Sequence, residues 1–101
     1  MLSTESYWRI RDDAAWVDHG DRVVALALSD PRATPLALEG SAALIWRALH
    51  QGGLSTGSAI ASRVADETAL EADVVIDDVS SFLVVLATAS LVAADVSPAR
   101  H

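Results

Sequence analysis

Apolar and polar positions along the chain change period once, close to Gly40. Before it they come in short alternating runs broken by turn residues; after it they recur every three or four positions. Ala15-Trp-Val-Asp-His19 and Arg22 to Leu28 read as two strands joined by a hairpin at Gly20-Asp21. In Val23 to Leu28 both alternation classes are apolar, which predicts a central strand covered on both faces. Asp30-Pro-Arg-Ala-Thr-Pro35 is a loop by its Pro and Asp content, and Leu36-Ala-Leu38 returns as a short third strand. Proline cannot donate to a ladder, so Pro35 places this strand at a sheet edge, open to pairing with another chain. Upstream, Tyr7 to Arg11 suggests a short strand or extended arm, Asp12-Asp13 a turn, and Met1 to Ser6 a loose start.

Leu38 to Leu49 joins the two regimes. The chain leaves the third strand through Gly40 and enters a helix expected from Ser41 to His50, with Ser41 as its cap and Gly52-Gly53 as its stop. Leu44, Ile45, Ala48 and Leu49 share one side, with Trp46 on the flank. A second helix starts near Ser55 or Thr56 and carries Ile60 and Val64. Thr68-Ala-Leu-Glu71 has capping-box spacing, which predicts a long third helix from there to about Ser90. Its core stripe is Val75, Ile76, Val79, Phe82, Leu83 and Leu86. Val84 and Val85 fall outside that stripe, so the helix has more apolar cover than core packing requires. Leu91-Val92 closes the fold and Ser97 to His101 is a tail.

The 101 residues form one domain with a modest core, and 51% of them are hydrophobic at a mean hydropathy of +0.32. The longest uncharged run, Val79 to Ala94, is 16 residues with three serines and a threonine. It falls short of the roughly 20 apolar residues that span a bilayer. The N-terminus lacks the basic-then-apolar pattern of a secretory signal, so a cytoplasmic protein without membrane contact is expected. Net charge is −7, and every basic residue is arginine. Residues 51–101 carry seven carboxylates against Arg63 and Arg100, a net −5. Nucleic acids are bound through cations that displace phosphate counterions, so an acidic helical half argues against DNA. Glu71, Asp73, Asp77 and Asp78 give the long helix the wrong sign for a recognition helix.

Catalytic chemistry finds little support. There is no cysteine and no lysine, which removes thiolate and Schiff-base nucleophiles. His19, His50 and His101 lack metal-ligand spacing. Gly40-Ser41-Ala42 is not a nucleophile elbow, and Asp77 and Asp78 point about 100° apart on a helix, so they form no acid/base dyad. Of the three tryptophans, Trp46 belongs with the core, while Trp8 and Trp16 suit either core or a binding surface. No enzyme activity, cofactor or metal is expected.

The ordered series L-x-G-x-A-x-x-I-W-x-x-L at Leu38 to Leu49, Ile60-Ala61, D-V-x-x-F-L-x-x-L at Asp78 to Leu86, and Leu91-Val92 resembles the PqqD-like family, the precursor-peptide recognition element. The likeness runs from Ala15 to Val92. It implies an α+β, winged-helix-like domain: an N-terminal three-stranded antiparallel sheet followed by a three-helix bundle. It further implies a non-catalytic protein that binds the leader region of a ribosomally made precursor by β-strand addition. The leader would then be presented to a tailoring enzyme such as a leader peptidase, a cyclase or a radical enzyme. Carried onto this chain, the family groove falls on Thr34, Leu36 and Leu38 of the strand and on Ile76, Ser80, Leu83 and Val84 of the third helix. Asp73 and Asp77 stand on the rim, where basic leader residues would meet them. Two departures stand out. Ser29 to Pro35 replaces a short hairpin frequent in the family, and the longer basic or proline-containing stretch of its metabolite-biosynthesis branch is missing. The alternative is a small winged-helix interaction or regulatory module, including a homodimer paired through the Thr34 to Leu38 edge, without leader binding.

Overall fold

A computed structural model describes residues 6–96. The expected loose start, apart from Ser6, and the Ser97 to His101 tail lie outside the described residues. Six strands and three helices follow in the order β1 (Ser6–Ile10), β2 (Ala14–Asp18), β3 (Arg22–Ala27), β4 (Leu36–Glu39), α1 (Ser41–Gly52), β5 (Ser55–Thr56), α2 (Gly57–Thr68), α3 (Ala72–Thr88) and β6 (Val92–Val96). The expected α+β order, a three-stranded antiparallel sheet followed by three helices, is present in β2-β3-β4 and α1 to α3. A second antiparallel sheet, β5-β1-β6, was not foreseen as a sheet. Its central strand is the Tyr7 to Arg11 segment, and Leu91-Val92, expected only to close the fold, opens its longest partner. Two residues of β5 are too few to carry a periodicity, so no local signal announces that sheet.

Register fixes which side of β2-β3-β4 meets the helices. Trp16 and Leu36 both lie opposite Ala25, and Leu38 opposite Val23, so these residues share the inner face with Ala27. Val23, Ala25, Ala27 and Leu38 are buried there. The other face presents Ala15 opposite Leu26 and Val17 opposite Val24, with Ala37 beside Val24. The expectation that β3 is covered on both faces is met on one only. Val24 and Leu26 stay half-exposed and belong to no core cluster, and Leu28, just past the strand, is 62% exposed. The reason is topological: the helices pack on the inner side, and β1 is committed to the other sheet.

Helix ends show where local chemistry overrode the expected caps. Gly40, at φ 61°, is the cap of α1, and no side chain caps that end. Ser41 already stands inside the first turn, where its hydroxyl cannot reach back to the free N–H groups. At the other end Gly53, at φ 65°, donates to the Leu49 carbonyl at 3.0 Å, the stop expected from Gly52-Gly53. Thr56 caps α2 by accepting from Ala59 N at 3.1 Å. The Thr68/Glu71 capping box does not form. Thr68 closes α2 instead, donating to the Val64 carbonyl at 2.9 Å, and Glu71 sits at the start of α3 with no side-chain cap. Ala69 makes the turn between the two helices in the left-handed region at φ 61°.

One cluster forms the core of the described residues, with Trp46, Leu49, Ile45, Ile60, Leu83, Leu86, Val79 and Leu91 fully buried. Trp46 is 0% exposed, and its indole N–H has no hydrogen-bond partner among the described residues. Burying about 200 Å² of indole at roughly 25 cal/mol per Å² stabilises by about 5 kcal/mol. An unsatisfied donor costs only about 1–3 kcal/mol, so the ring stays inside. Trp16 meets Trp46 edge-on at 5.8 Å and His50 at 4.7 Å, so it fastens β2 to α1.

Candidate functional site

β4 has a strand neighbour on one side only, because the sheet order is β2-β3-β4. Along its outer edge, alternate backbone N–H and C=O groups face away from β3 and are open to another strand. Pro35 stands just ahead of it, as the sequence indicated. Gly40 then turns the chain from β4 directly into α1, which sets Ser41, Ala42 and Ile45 beside the strand's C-terminal end.

Those three residues face α3 across a surface cavity of about 290 Å³, whose far wall is Asp78, Ser81, Phe82 and Val85. Asp78, Ser81 and Val85 are spaced i, i+3 and i+7, so they lie on one helical stripe, and Val74 extends it by one turn toward the N-terminus. Val74 is 61% and Val85 50% exposed, while Phe82 leans half-buried against the core. The cavity therefore pairs an apolar wall of Ala42, Ile45, Phe82 and Val85 with two hydroxyls and one carboxylate. Among the described residues no arginine pairs with Asp78. The site offers an unneutralised negative charge beside an apolar slot, a setting for an extended chain carrying apolar and cationic side chains.

The structure distributes the nine residues expected for the groove. Leu36 is half-buried on β4, and Thr34 is exposed two residues ahead of it. Leu38 and Leu83 are 2% and 1% exposed and are core residues. Asp73 and Ile76 line a different cavity of about 260 Å³, on the α2 side, with Ser58, Ala61 and Ser62. Asp77, Ser80 and Val84 are exposed, and with Asp73 they form the stripe 73-77-80-84. That stripe is the cavity stripe 74-78-81-85 rotated by one residue, about 100° around the helix. None of the nine lines the cavity between α1 and α3. The lining of that cavity, Ser41, Ala42, Ile45, Asp78, Ser81, Phe82 and Val85, lies outside the set expected for the groove. The available signal was the i, i+4, i+7, i+11 series from Val74 to Val85, apolar at both ends and polar between.

The electrostatics of the hairpin behind the site are set by Asp18. Its carboxyl is pulled down to about 2, first by hydrogen bonds from Arg47 and then by the Gly20 N–H. Asp13 is lowered as well, by the Ser29 hydroxyl and then by Arg11. Among the described residues no three His, Cys, Asp or Glu side chains come together as a metal site. None of the described helices is long and apolar enough to cross a membrane.

An edge strand leading directly into a helix that shares a partly apolar cavity with α3 is a layout compatible with strand addition. The family described as coenzyme PQQ synthesis protein D (PqqD) matches residues 25–92, about two thirds of the chain, and the protein belongs to that family. Among solved structures, TbiB1 in complex with the TbiA(beta) leader peptide is similar in fold. Its TM-score is 0.69 at 24% sequence identity, over 92% of this chain and 99% of that one. Comparison with curated proteins finds no match.

Proposed function

We propose that this protein is a non-catalytic recognition domain that binds the leader region of a ribosomally made precursor peptide. The leader adds as a strand along the outer edge of β4, from the Thr34 and Leu36 end toward Glu39. Its alternate side chains enter the slot between α1 and α3, where Ile45, Phe82 and Val85 take an apolar residue and Asp78 a cationic one. Leu38 and Leu83 support the two walls from behind. The domain then presents the peptide to a separate tailoring enzyme, such as a leader peptidase, cyclase or radical enzyme, in the cytoplasm where the precursor is made. The observation that carries this reading is the cavity of about 290 Å³ between α1 and α3, whose α1 wall begins at Ser41, two residues after the end of β4, a strand with one free edge. Membership of the PqqD family supports it, as does the leader peptide held by the similarly folded TbiB1.

Calorimetric titration of the purified protein with synthetic leader peptides encoded beside its gene tests the proposal. Saturable micromolar binding that weakens at least tenfold in a Phe82→Ala or Asp78→Arg variant is the expected result. Absence of heat with every neighbouring leader would overturn it.

A further inference from the structure

A cavity of about 140 Å³ lies between α1 and α2, lined by Leu44, Arg47, Ala48, Gln51, Arg63 and Glu67. Two guanidiniums therefore share one small cavity in a chain whose carboxylates outnumber its arginines 14 to 7. Arg47 gives its Nε and Nη2 to the two oxygens of Asp18. Arg63 has no such partner. Its Nη1 donates to Ser55 Oγ at 3.0 Å and to the Ala48 carbonyl at 3.4 Å, both neutral groups. Among the described residues its Nε and Nη2 make no hydrogen bond, and no carboxylate lies within ion-pair distance of it. The edge left over is the same edge that Arg47 presents to Asp18, the planar fork that meets a carboxylate in two parallel bonds.

The surrounding chain holds Arg63 in that pose. Ser55 is 4% exposed, so its hydroxyl is a fixed acceptor, and Gly52 leaves open the space that a Cβ would take from the guanidinium. A half-buried arginine clamped at one corner has little rotamer freedom left to lose when an anion arrives. Glu67 is the internal competitor, four residues along α2 from Arg63 and on the same cavity. Its exposed carboxylate makes no ion pair among the described residues, and arginine ahead of glutamate is the weaker order for an i, i+4 pair. We propose that the α1–α2 cavity is a carboxylate-binding site. Arg63 grips both oxygens through Nε and Nη2, Arg47 and Gln51 supply further N–H donors, and Leu44 and Ala48 take the carbons that carry the acid. The ligand is a small free carboxylate or the acidic side chain of a polypeptide, which share this chemistry. The site is separate from the slot beside α3, and the inference does not rest on the leader reading.

Gln51 carries the only side-chain amide in the chain, so its NH₂ pair is a lone reporter on this cavity in nitrogen–proton NMR spectra of the full-length protein. Sodium acetate is titrated against sodium chloride at constant ionic strength, followed by N-acetyl-glutamyl-methylamide. At a net charge of −7 the protein has no general attraction for anions, so a shift with acetate reports contact at the site. A shift of the Gln51 pair that saturates at millimolar acetate and is absent with chloride is the expected result. Arg63→Lys keeps the charge and a donor for Ser55 but loses the fork, and it is expected to weaken binding at least tenfold. Glu67→Gln removes the competitor and is expected to tighten it at least threefold. Should Arg63→Lys fail to fold, the wild-type titration and the exposed Glu67→Gln variant carry the test. A Gln51 pair that follows acetate no more than chloride overturns the proposal. Binding confined to Glu67→Gln overturns it too, since Glu67 then fills the fork itself, and so does undiminished binding by a folded Arg63→Lys. The two probes separate the sources while upholding the site: tenfold tighter binding of the glutamyl probe assigns the carboxylate to a polypeptide side chain, and parity assigns it to a free acid.

Discussion

Arg47 holds Asp18 through two parallel hydrogen bonds, Nε to Oδ2 at 2.8 Å and Nη2 to Oδ1 at 2.9 Å, while Nη2 also donates to the Gly20 carbonyl at 2.7 Å. The guanidinium fork thereby ties α1 to the β2–β3 hairpin across 29 residues of sequence. A carboxyl lowered from an ordinary 3.8 to about 2 adds stability that is fully present above its unfolded value and is lost as pH falls toward its folded one. The window for that loss is pH 4 to 2. Urea unfolding across it is expected to show a shallower acid slope for Asp18→Asn than for wild type. Some slope remains, because Asp13 is lowered as well. Arg47→Lys keeps the charge but loses the fork, and it should flatten the slope nearly as much. Equal slopes in wild type and Asp18→Asn would mean that the pair does not form in solution.

Much of this fold was legible because it depends on local punctuation. Gly20-Asp21, Pro35, Gly40 and Gly52-Gly53 each stop or turn the chain where the structure does. Trp46 and the Val75, Val79, Leu83, Leu86 stripe are buried as their helical spacing required. What was not legible depends on contacts distant in sequence. The pairing of β1 with β5 and β6 joins residues 7 and 8 to residues 55 and 56 and residues 6–10 to 92–96. The rotation of α3 about its axis is likewise set by α2 and α1. Periodicity gives α3 a wide apolar cover and leaves open which flank borders the cavity with α1, so the stripe Asp73, Asp77, Ser80, Val84 lies one position from the cavity-lining stripe.

Arg63 lies across the end of α1, donating to Ser55 Oγ at 3.0 Å and to the Ala48 carbonyl at 3.4 Å. A Cβ on Gly52 would overlap that guanidinium and the Ser55 hydroxyl. Two opposed effects therefore meet at Gly52→Ala. Helix propensity favours alanine by up to about 1 kcal/mol, and eviction of Arg63 removes a charged hydrogen bond of about 1.5 kcal/mol or more. In an Arg63→Ala background the guanidinium overlap is gone and the Ser55 hydroxyl, no longer held by its arginine donor, can rotate off the new Cβ, so the same substitution should become markedly less destabilising or turn stabilising. A double-mutant cycle by urea unfolding is expected to give a coupling of about 1.5 kcal/mol. Additivity within about 0.3 kcal/mol would show that Arg63 does not occupy that place.

Ala69 carries a side chain at φ 61°, ψ 20°, and is exposed between α2 and α3. The left-handed region costs an L-residue with a Cβ about 1–2 kcal/mol. Glycine escapes that cost but gives up about 0.5–1 kcal/mol of chain entropy. The balance predicts that Ala69→Gly stabilises by about 0.5–1 kcal/mol, a rise of several degrees in the thermal midpoint of a domain this size. A fall would indicate that the α2–α3 turn takes another conformation.

Val84 and Val85 are adjacent on α3, 60% and 50% exposed, and about 100° apart around the helix. Only Val85 reaches the cavity opposite Ile45. Val84 belongs to the stripe of Asp73, Asp77 and Ser80, turned about 100° around the helix from the cavity-lining stripe. Replacing either by glutamate adds the same single negative charge at an exposed helical position, so stability and long-range attraction for a cationic peptide change alike. The contact with the bound peptide does not. Val85→Glu is expected to weaken leader binding at least tenfold, about 1.4 kcal/mol, because a carboxylate must then be desolvated against Phe82 and Asp78. Val84→Glu should stay within twofold of wild type. The reverse pattern in a calorimetric titration would move the peptide to the neighbouring stripe and to the second cavity beside α2. Equal losses would point to charge alone, with neither flank of α3 in contact with the leader.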